Sequence, residues 1–266
     1  MASVAKTITT SPLRSKAQHA DRRGTVKEAT SKLAKVAHTH AEDLPVLSPG
    51  DHLDQKTFHR RYKAMPEDFR AELIEGVVIV PSPVAIWHGE HHGLLTGWLF
   101  GYRTATPGIK LFVDTTVILG PDSEPQPDAM LVIDPAFGGQ TWAQGKYIAG
   151  PPELMAEVAS TSEAYDLHSK YRDYEKAGVR EYMVVVLREQ KVAWFVRHGN
   201  RFKPLVPGDD GVLRSQELPG LWLDPGALLA CDAKRVLKTL QLGLATPEHA
   251  AFVAGLKRMK RRPRKR

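Results

Sequence analysis

The chain has 266 residues, 42% of them hydrophobic, and a formal net charge of +7, so it can bury one substantial core but has little room for two full domains. Cys231 is the single cysteine, which excludes an intramolecular disulfide and a zinc cluster built on cysteine ligands. No segment approaches the ~20 apolar residues that span a bilayer, and residues 1–47 lack the apolar core of a signal peptide, so we expect a cytoplasmic protein with no membrane partner.

The positive charge is concentrated at the two ends of the chain. Residues 257–266 carry eight Lys or Arg and no acidic residue, and residues 1–50 carry eight Lys or Arg against four Asp or Glu, which leaves residues 51–256 with a net charge of −5. Electrostatic attraction to a polyanion is therefore expected mainly from the ends, or from a local basic groove. The basic C-terminal run is equally consistent with a solvated tail and with an arm that binds nucleic acid.

Composition divides the chain into three regions. Residues 1–50 are rich in small and polar side chains and have few large apolar ones, which predicts a disordered N-terminal extension. Residues 51–230 contain the apolar runs expected of one globular domain, and residues 231–266 predict a C-terminal helical segment that ends in the basic tail.

The predicted elements of residues 51–133 begin with a short helix within 53–69. The apolar run 73–80 is interrupted by Gly76, which favours a hairpin or a bulged strand pair. A helix over 89–104 ends before Pro107 and Gly108. Strands follow over 110–119 and 129–133.

A long loop is predicted over 134–152, before a third strand over 153–158. Thr161 or Ser162 can cap a helix that runs to residue 177 and stops at Gly178. A buried strand over 181–187, a hairpin partner over 191–196 and an edge strand over 201–206 come next, and helices are predicted over 225–242 and 247–258. This order predicts a mixed α/β or α+β fold around one central sheet.

Two acidic residues stand at the ends of predicted strands. Asp128 follows Pro127 at the start of one strand, and Glu157 lies near the end of an otherwise apolar strand. A buried carboxylate needs a partner, and a divalent cation such as Mg²⁺ can provide one through oxygen ligands. The alternatives are a turn residue at Asp128 and an edge-strand glutamate facing water at Glu157.

Three polar residues recur every four positions in the next helix. Asp166, Lys170 and Tyr174 therefore share one helical face. An ammonium group near the two strand carboxylates could stabilise charge that develops on a phosphate, which favours metal-assisted phosphodiester hydrolysis. The alternative is a surface ion pair between Asp166 and Lys170.

The histidines near the start of the 89–104 helix do not form a recognisable zinc motif. His88 and His92 are four residues apart, but no third ligand follows at a typical spacing, so capping or a solvated face is the preferred interpretation of His88, His91 and His92. His88 can still approach the site from the helix start. Cys231 lies in an apolar, helical pattern and is expected to be packed rather than reactive.

Several short motifs occur in an order that resembles a known family. They are Glu72-Leu73-Ile74-Glu75-Gly76, Pro81-Ser82-Pro83 with His88, Pro127-Asp128, Pro151-Pro152-Glu153-Leu154 leading into Glu157-Val158, Asp166 with Lys170 and Tyr174, Ala177-Gly178-Val179 with Glu181-Tyr182, and Pro219-Gly220-Leu221. In this order they resemble the Uma-two family of restriction endonucleases, a branch of the PD-(D/E)XK nuclease superfamily. The resemblance covers about residues 66–230 and implies a restriction-endonuclease-like core with a central mixed sheet flanked by helices.

The resemblance also implies roles for individual residues. Asp128 and Glu157 would bind Mg²⁺ or Mn²⁺, and Lys170 would be the active-site lysine. Glu72 would belong to the site, with Glu75 as a weaker candidate. The superfamily usually has its lysine two positions after the glutamate, where this chain has Ala159, and Lys170 on the next helix is the replacement that the family offers.

Together these observations predict a Mg²⁺-dependent endodeoxyribonuclease. In this hypothesis Asp128, Glu157 and the backbone carbonyl of Val158 hold the metal, and the partner is nucleic acid, for which DNA is the expected form although no sequence feature separates DNA from RNA. A homodimer is compatible with an exposed edge strand. The alternative is a catalytically silent protein that retains the nuclease fold and binds nucleic acid or regulates another protein through its basic arm.

Overall fold

A central sheet of six strands organises the chain, for which the computed structural model describes residues 44–160 and 162–260. The sheet order is β11-β10-β9-β8-β5-β3, and only β8 and β9 run parallel, so the predicted mixed sheet is confirmed. Its strands are β3 (Ile109–Val113), β5 (Ala129–Ile133), β8 (Leu154–Ala159), β9 (Glu181–Val186), β10 (Lys191–His198) and β11 (Arg201–Pro204). The basic C-terminal residues 261–266, the capping candidate Thr161 and the predicted extension up to residue 43 lie outside the described residues.

Smaller strand pairs and helices complete the fold. The remaining strands are β1 (Glu72–Ile74), β2 (Val77–Ile79), β4 (Val117–Ile118), β6 (Trp142–Gln144), β7 (Tyr147–Ala149), β12 (Leu213–Arg214) and β13 (Trp222–Leu223). The helices are α1 (Gln55–Tyr62), α2 (Ile86–Ala105), α3 (Lys170–Ala177), α4 (Pro225–Leu229), α5 (Ala233–Leu244) and α6 (Pro247–Lys260), with a 3-10 turn at Pro135–Phe137 and a π-helical turn at Tyr165–Ser169. None of the described helices has the length and apolar character needed to cross a membrane.

Helices cover both faces of the sheet, which explains the continuous apolar run in β9. Met183 and Val185 pack on one face with side chains from α2, α5 and α6, whereas Tyr182, Val184 and Val186 pack on the other face with Tyr174 of α3. Because successive strand residues point to opposite faces, a strand buried on both sides lacks the alternating exposed polar positions of a half-buried strand. The predicted arrangement of a sheet flanked by helices is therefore confirmed.

The predicted strand over 110–119 is divided into two strands of different sheets. β3 ends at Val113, and Asp114 adopts a left-handed backbone with a φ of 46°. β4 then pairs with β7, whose hairpin with β6 fills much of the predicted loop 134–152. The polar triplet 114–116 is the local sign of this break, but polar residues also occur on the exposed side of strands, so one continuous strand was predicted.

The single helix predicted over 225–242 was wrong. α4 ends at Leu229, Cys231 has a φ of 51°, and the Asp232 side chain caps α5 by accepting from the Arg235 N–H. Cys231 therefore lies in a turn between two helices rather than inside one, with its Sγ 3.5 Å from His91 Nε2. A short polar side chain at a cap offers the backbone a partner that a helix interior cannot use.

Candidate active site

The pairing of β5 with β8 places Asp128 beside Glu157. Ala129 and Ala156 are register partners, so the residues next to them are neighbours across the two strands. The Val158 N–H donates to Asp128 Oδ2 at 2.6 Å, and the Asp128 N–H approaches Glu157 Oε2 at 3.4 Å. Glu157 is only 4% exposed, so the alternative of a water-facing edge glutamate was wrong.

The β1–β2 hairpin brings Glu72 to the same point. The two turn residues, Glu75 and Gly76, both have positive φ, which gives the tight turn that glycine favours. Glu72 Oε1 accepts from the Gln126 N–H at 2.6 Å, which ties the hairpin to the segment leading into Asp128. The other oxygen, Oε2, lies 3.0 Å from Lys170 Nζ.

Lys170 lies at the junction between the π-helical turn and α3, and its side chain is buried among carboxylates. Nζ lies 3.0 Å from Glu157 Oε1, 3.0 Å from Glu72 Oε2 and 3.6 Å from Asp166 Oδ1. The ion pair with Asp166 is buried, so the alternative of a surface pair was wrong. A π-helical turn is rare and often marks a functional position, because it redirects the side chains that follow it.

Tyr174 completes the helical face that the four-residue spacing predicts. Its hydroxyl donates to Glu157 Oε1 at 3.0 Å, on the oxygen that also contacts Lys170. Among the residues that the structure describes, Glu157 Oε2 has only the long contact with the Asp128 N–H, and Asp128 Oδ1 accepts no hydrogen bond. One oxygen of each strand carboxylate is therefore left for another ligand.

Negative charge exceeds positive charge around Lys170. Burial, together with the charges of Asp128 and Asp166, raises the pKa of Glu157 well above its usual value even though Lys170 opposes the shift. Burial alone would lower the pKa of Lys170, but the surrounding carboxylates outweigh this effect. The pKa of Lys170 is therefore raised well above its usual value, and the side chain stays protonated. One ammonium cannot neutralise several buried carboxylates, and a divalent cation would remove the remaining imbalance.

His88 approaches the site from the first turn of α2, as expected. Its Nε2 lies 3.5 Å from Asp128 Oδ2. The contact with Asp128 raises the pKa of His88. Burial opposes ionisation of Asp128, but His88 and the Val158 N–H outweigh it, so the pKa of Asp128 is lowered and this residue stays ionised.

Asp114 is a candidate ligand that the sequence reasoning missed. Ligand atoms of His92, Asp114 and Asp128 all lie within 4.8 Å of one another, which could hold a metal ion. This cluster contains one of the three histidines, His92, and its other two members are aspartates, one of them at the break after β3. The polar triplet 114–116 inside the predicted strand was the signal for that break.

Glu75 is not brought to the site. Its carboxylate forms an ion pair with the exposed Arg172, at 2.7 Å between Oε2 and Nη2. Ala159, at the usual lysine position, is fully buried in the apolar cluster that includes Tyr174. A charged group would be poorly accommodated there, and Lys170 supplies the ammonium at Glu157 instead.

The site opens into a cavity of about 510 Å³, called the acidic cavity below. Its lining includes Glu72, Asp114, Asp128, Glu157, Asp166 and Lys170. One space is therefore bordered by the proposed catalytic residues Glu72, Asp128, Glu157 and Lys170 and by Val158, whereas the weaker candidate Glu75 does not border it.

Asp173, three residues after Lys170, makes the stability of α3 depend on pH. Its Oδ2 accepts from Ser123 Oγ at 2.5 Å, and burial raises its pKa to about 7. In the unfolded chain the group ionises near its ordinary value of 3.8, so between about pH 4 and pH 7 unfolding releases a proton. The contribution of Asp173 to folding therefore falls as the pH rises through this window.

Asp173→Asn should therefore make the protein more stable at pH 7.5, by up to about 4 kcal/mol, because the amide oxygen keeps the Ser123 bond without the cost of a buried charge. The gain should become small near pH 4, because Asp173 is protonated there in the folded state and is close to its ordinary pKa of 3.8 in the unfolded chain. Urea unfolding at the two pH values measures it, with the exposed Asp209→Asn as control. If the difference in unfolding free energy between Asp173→Asn and the parent were the same at both pH values, the buried charge of Asp173 would not be its cause.

A mixed sheet flanked by helices, with strand carboxylates and a buried lysine facing one cavity, is the organisation of restriction-endonuclease-like nucleases. The family model Uma2, described as "Putative restriction endonuclease", matches residues 56–226. The chain therefore belongs to this family. The family is one of nucleases, whose substrate class is nucleic acid.

A solved structure with a similar chain is the crystal structure of a "putative nuclease belonging to DUF820" from Anabaena variabilis. It shares 17% sequence identity, covers 64% of this chain and 97% of its own, and superposes with a TM-score of 0.46. None of the curated proteins compared with this chain matches it.

Proposed function

We propose that this protein is a metal-dependent endonuclease that hydrolyses phosphodiester bonds in DNA. The observation that carries the proposal is the set of carboxylates around Lys170, where Asp128 and Glu157 each keep one oxygen free of strong hydrogen bonds from residues 44–160 and 162–260. Such a cluster is costly to bury without a function, since several anions repel one another around one cation.

A divalent ion fits the oxygen ligands of this site. Asp128, Glu157 and the backbone carbonyl of Val158 are the proposed ligands, and hard ions such as Mg²⁺ or Mn²⁺ prefer carboxylate and carbonyl oxygens. When bound, such an ion polarises a phosphate and lowers the pKa of a bound water.

The residues of the chain have separate tasks in this proposal. Lys170 remains protonated and supplies a fixed positive charge where negative charge develops on the phosphate. Glu72 and Tyr174 hold Lys170 and Glu157 in place, because each contacts one partner of the central ion pair at 3.0 Å. His88 keeps Asp128 ionised, which is the form that binds a cation.

Cellular location and assembly belong to the same proposal. We propose a cytoplasmic location, because the single cysteine cannot form an intramolecular disulfide and is compatible with a reducing compartment. Homodimer formation remains a prediction.

The proposal predicts that cleavage depends on a divalent ion. The purified protein should convert supercoiled plasmid to nicked or linear forms with Mg²⁺ or Mn²⁺ and should lose this activity in excess EDTA. A single-stranded RNA assayed in parallel reports the DNA preference. Equal activity with and without EDTA would contradict metal dependence, and faster cleavage of RNA would contradict the substrate assignment.

A further inference from the structure

A second cavity, of about 210 Å³, lies beside the acidic cavity. We call it the Trp87 cavity, and its lining is Trp87, His91, Ser160, Leu187, Arg188 and Gln190. Ser160 and Leu187 directly follow the parallel strands β8 and β9, where the Leu187 N–H donates to the Ala159 carbonyl at 2.9 Å. Ligands of α/β sheets often bind outside the carboxyl ends of parallel strands.

The two cavities are adjacent. Ser160 borders both of them, and Trp87 is followed directly by His88, which contacts Asp128. A polymer whose phosphodiester occupies the acidic cavity could therefore place a neighbouring unit in the Trp87 cavity. Both cavities would then contact one substrate strand.

Trp87 presents a large apolar surface to solvent. Its side chain is 59% exposed, and the nearby Val84 and Ile86 are 70% and 81% exposed. His91 fixes the backbone below, with Nδ1 at 2.7 Å from the Trp87 carbonyl and Nε2 at 3.2 Å from the Leu229 carbonyl. Exposed large apolar side chains that are close together in the chain are typical of a recognition surface.

Arg188 and Gln190 give the Trp87 cavity polar groups of a particular kind. Arg188 is exposed, and within residues 44–160 and 162–260 it forms no ion pair, so its guanidinium is available to a ligand. Gln190 Nε2 donates to the Leu187 carbonyl at 2.6 Å, so its amide is held in one orientation at the cavity. An aromatic face with a guanidinium and an amide matches a nucleobase and its adjacent phosphate.

We propose that the Trp87 cavity binds one unpaired nucleobase of the substrate strand, stacked on Trp87, with Arg188 contacting a flanking phosphate. The proposal rests on the proposed nuclease function. The volume is below the ~300 Å³ of pockets that take drug-sized ligands, which suits one base rather than a whole nucleotide cofactor. Stacking tolerates every base, so the subsite would position a strand without reading its sequence.

Binding of a fluorescein-labelled single-stranded oligodeoxynucleotide tests the subsite by anisotropy, with Ca²⁺ in place of Mg²⁺ and intact oligonucleotide verified on a gel. Trp87→Ala should weaken binding about 5- to 100-fold, whereas Trp87→Phe should retain most of the affinity because a ring remains. Arg188→Ala should weaken binding and should reduce the slope of log affinity against log salt concentration by about 1, as expected for the loss of one phosphate contact. The exposed Trp142→Ala and Arg60→Ala, which border neither cavity, are matched controls and should change affinity less than about twofold.

An abasic scan identifies the stacked base. A single abasic position should weaken binding to the parent protein and have no further effect on Trp87→Ala, because both changes remove the same contact. Equal losses for Trp87→Ala and Trp142→Ala, or an abasic effect that persists in Trp87→Ala, would overturn the subsite. A parent that binds no oligonucleotide would also overturn it and would leave a protein partner as the occupant of the exposed surface.

The failure of the subsite and the failure of the nuclease proposal can be distinguished. Metal-dependent plasmid cleavage with no selective effect of Trp87→Ala would remove the subsite and retain the nuclease. Trp87-dependent oligonucleotide binding without cleavage in any metal would remove the nuclease and retain the subsite.

Discussion

Asp128→Asn and Glu157→Gln should each lower kcat for plasmid cleavage by about 10³-fold, since loss of a metal ligand removes several kcal/mol of transition-state stabilisation. Both substitutions keep the side-chain size and most of the hydrogen bonds, including the Tyr174 hydroxyl donated to position 157. Quantified gels of supercoiled plasmid in Mg²⁺, with rates at saturating enzyme, measure the effect.

The matched control for this prediction is Asp122→Asn. Asp122 is an acidic residue that pairs with the exposed Lys176 and does not border the acidic cavity. Its substitution should leave the cleavage rate within about twofold of the parent. Cleavage by Asp128→Asn or Glu157→Gln at the rate of Asp122→Asn would contradict the assignment of both ligands.

Lys170→Met should destabilise the protein by about 3–5 kcal/mol, because it leaves three carboxylates buried around an apolar side chain. It should also reduce turnover more than substrate binding, since the charge of Lys170 matters most where negative charge develops in the transition state. Urea unfolding measures the first effect, and the separation of kcat from KM measures the second at a temperature where the variant is folded.

Lys176→Met is the control for Lys170→Met. Lys176 lies on the same helix and pairs with Asp122 at the surface, where an ion pair contributes about 0–1 kcal/mol. Its stability and turnover should therefore match those of the parent. A Lys170→Met protein as stable as Lys176→Met would show that the buried carboxylates are neutralised by protonation rather than by the lysine.

The sheet and its central residues were predictable from the sequence because their signals are local. The apolar run of β9 and the strand at Ala129–Ile133 follow from β-branched and apolar residues bounded by turn residues. The shared helical face of Asp166, Lys170 and Tyr174 follows from their spacing of four. That Lys170 reaches Glu157 could not be read from spacing, since it depends on how α3 packs across β8.

Other features depend on backbone turns and long-range packing that a pattern does not contain. Asp114 joins Asp128 only because the chain leaves the sheet after β3 at a left-handed residue. The Trp87 cavity forms where α2 meets the ends of β8 and β9, which are distant in sequence. Tertiary contacts of this kind decide which residues share a cavity, whatever their local propensity.

Calorimetric titration of Mn²⁺ into the parent protein and into Glu157→Gln tests the central claim most directly, because it measures metal binding without requiring catalysis. The account predicts saturable binding to the parent that is weakened at least about tenfold in Glu157→Gln and is unchanged in Asp122→Asn. Equal Mn²⁺ affinity in the parent and in Glu157→Gln, or no binding to the parent, would contradict a metal site at these carboxylates.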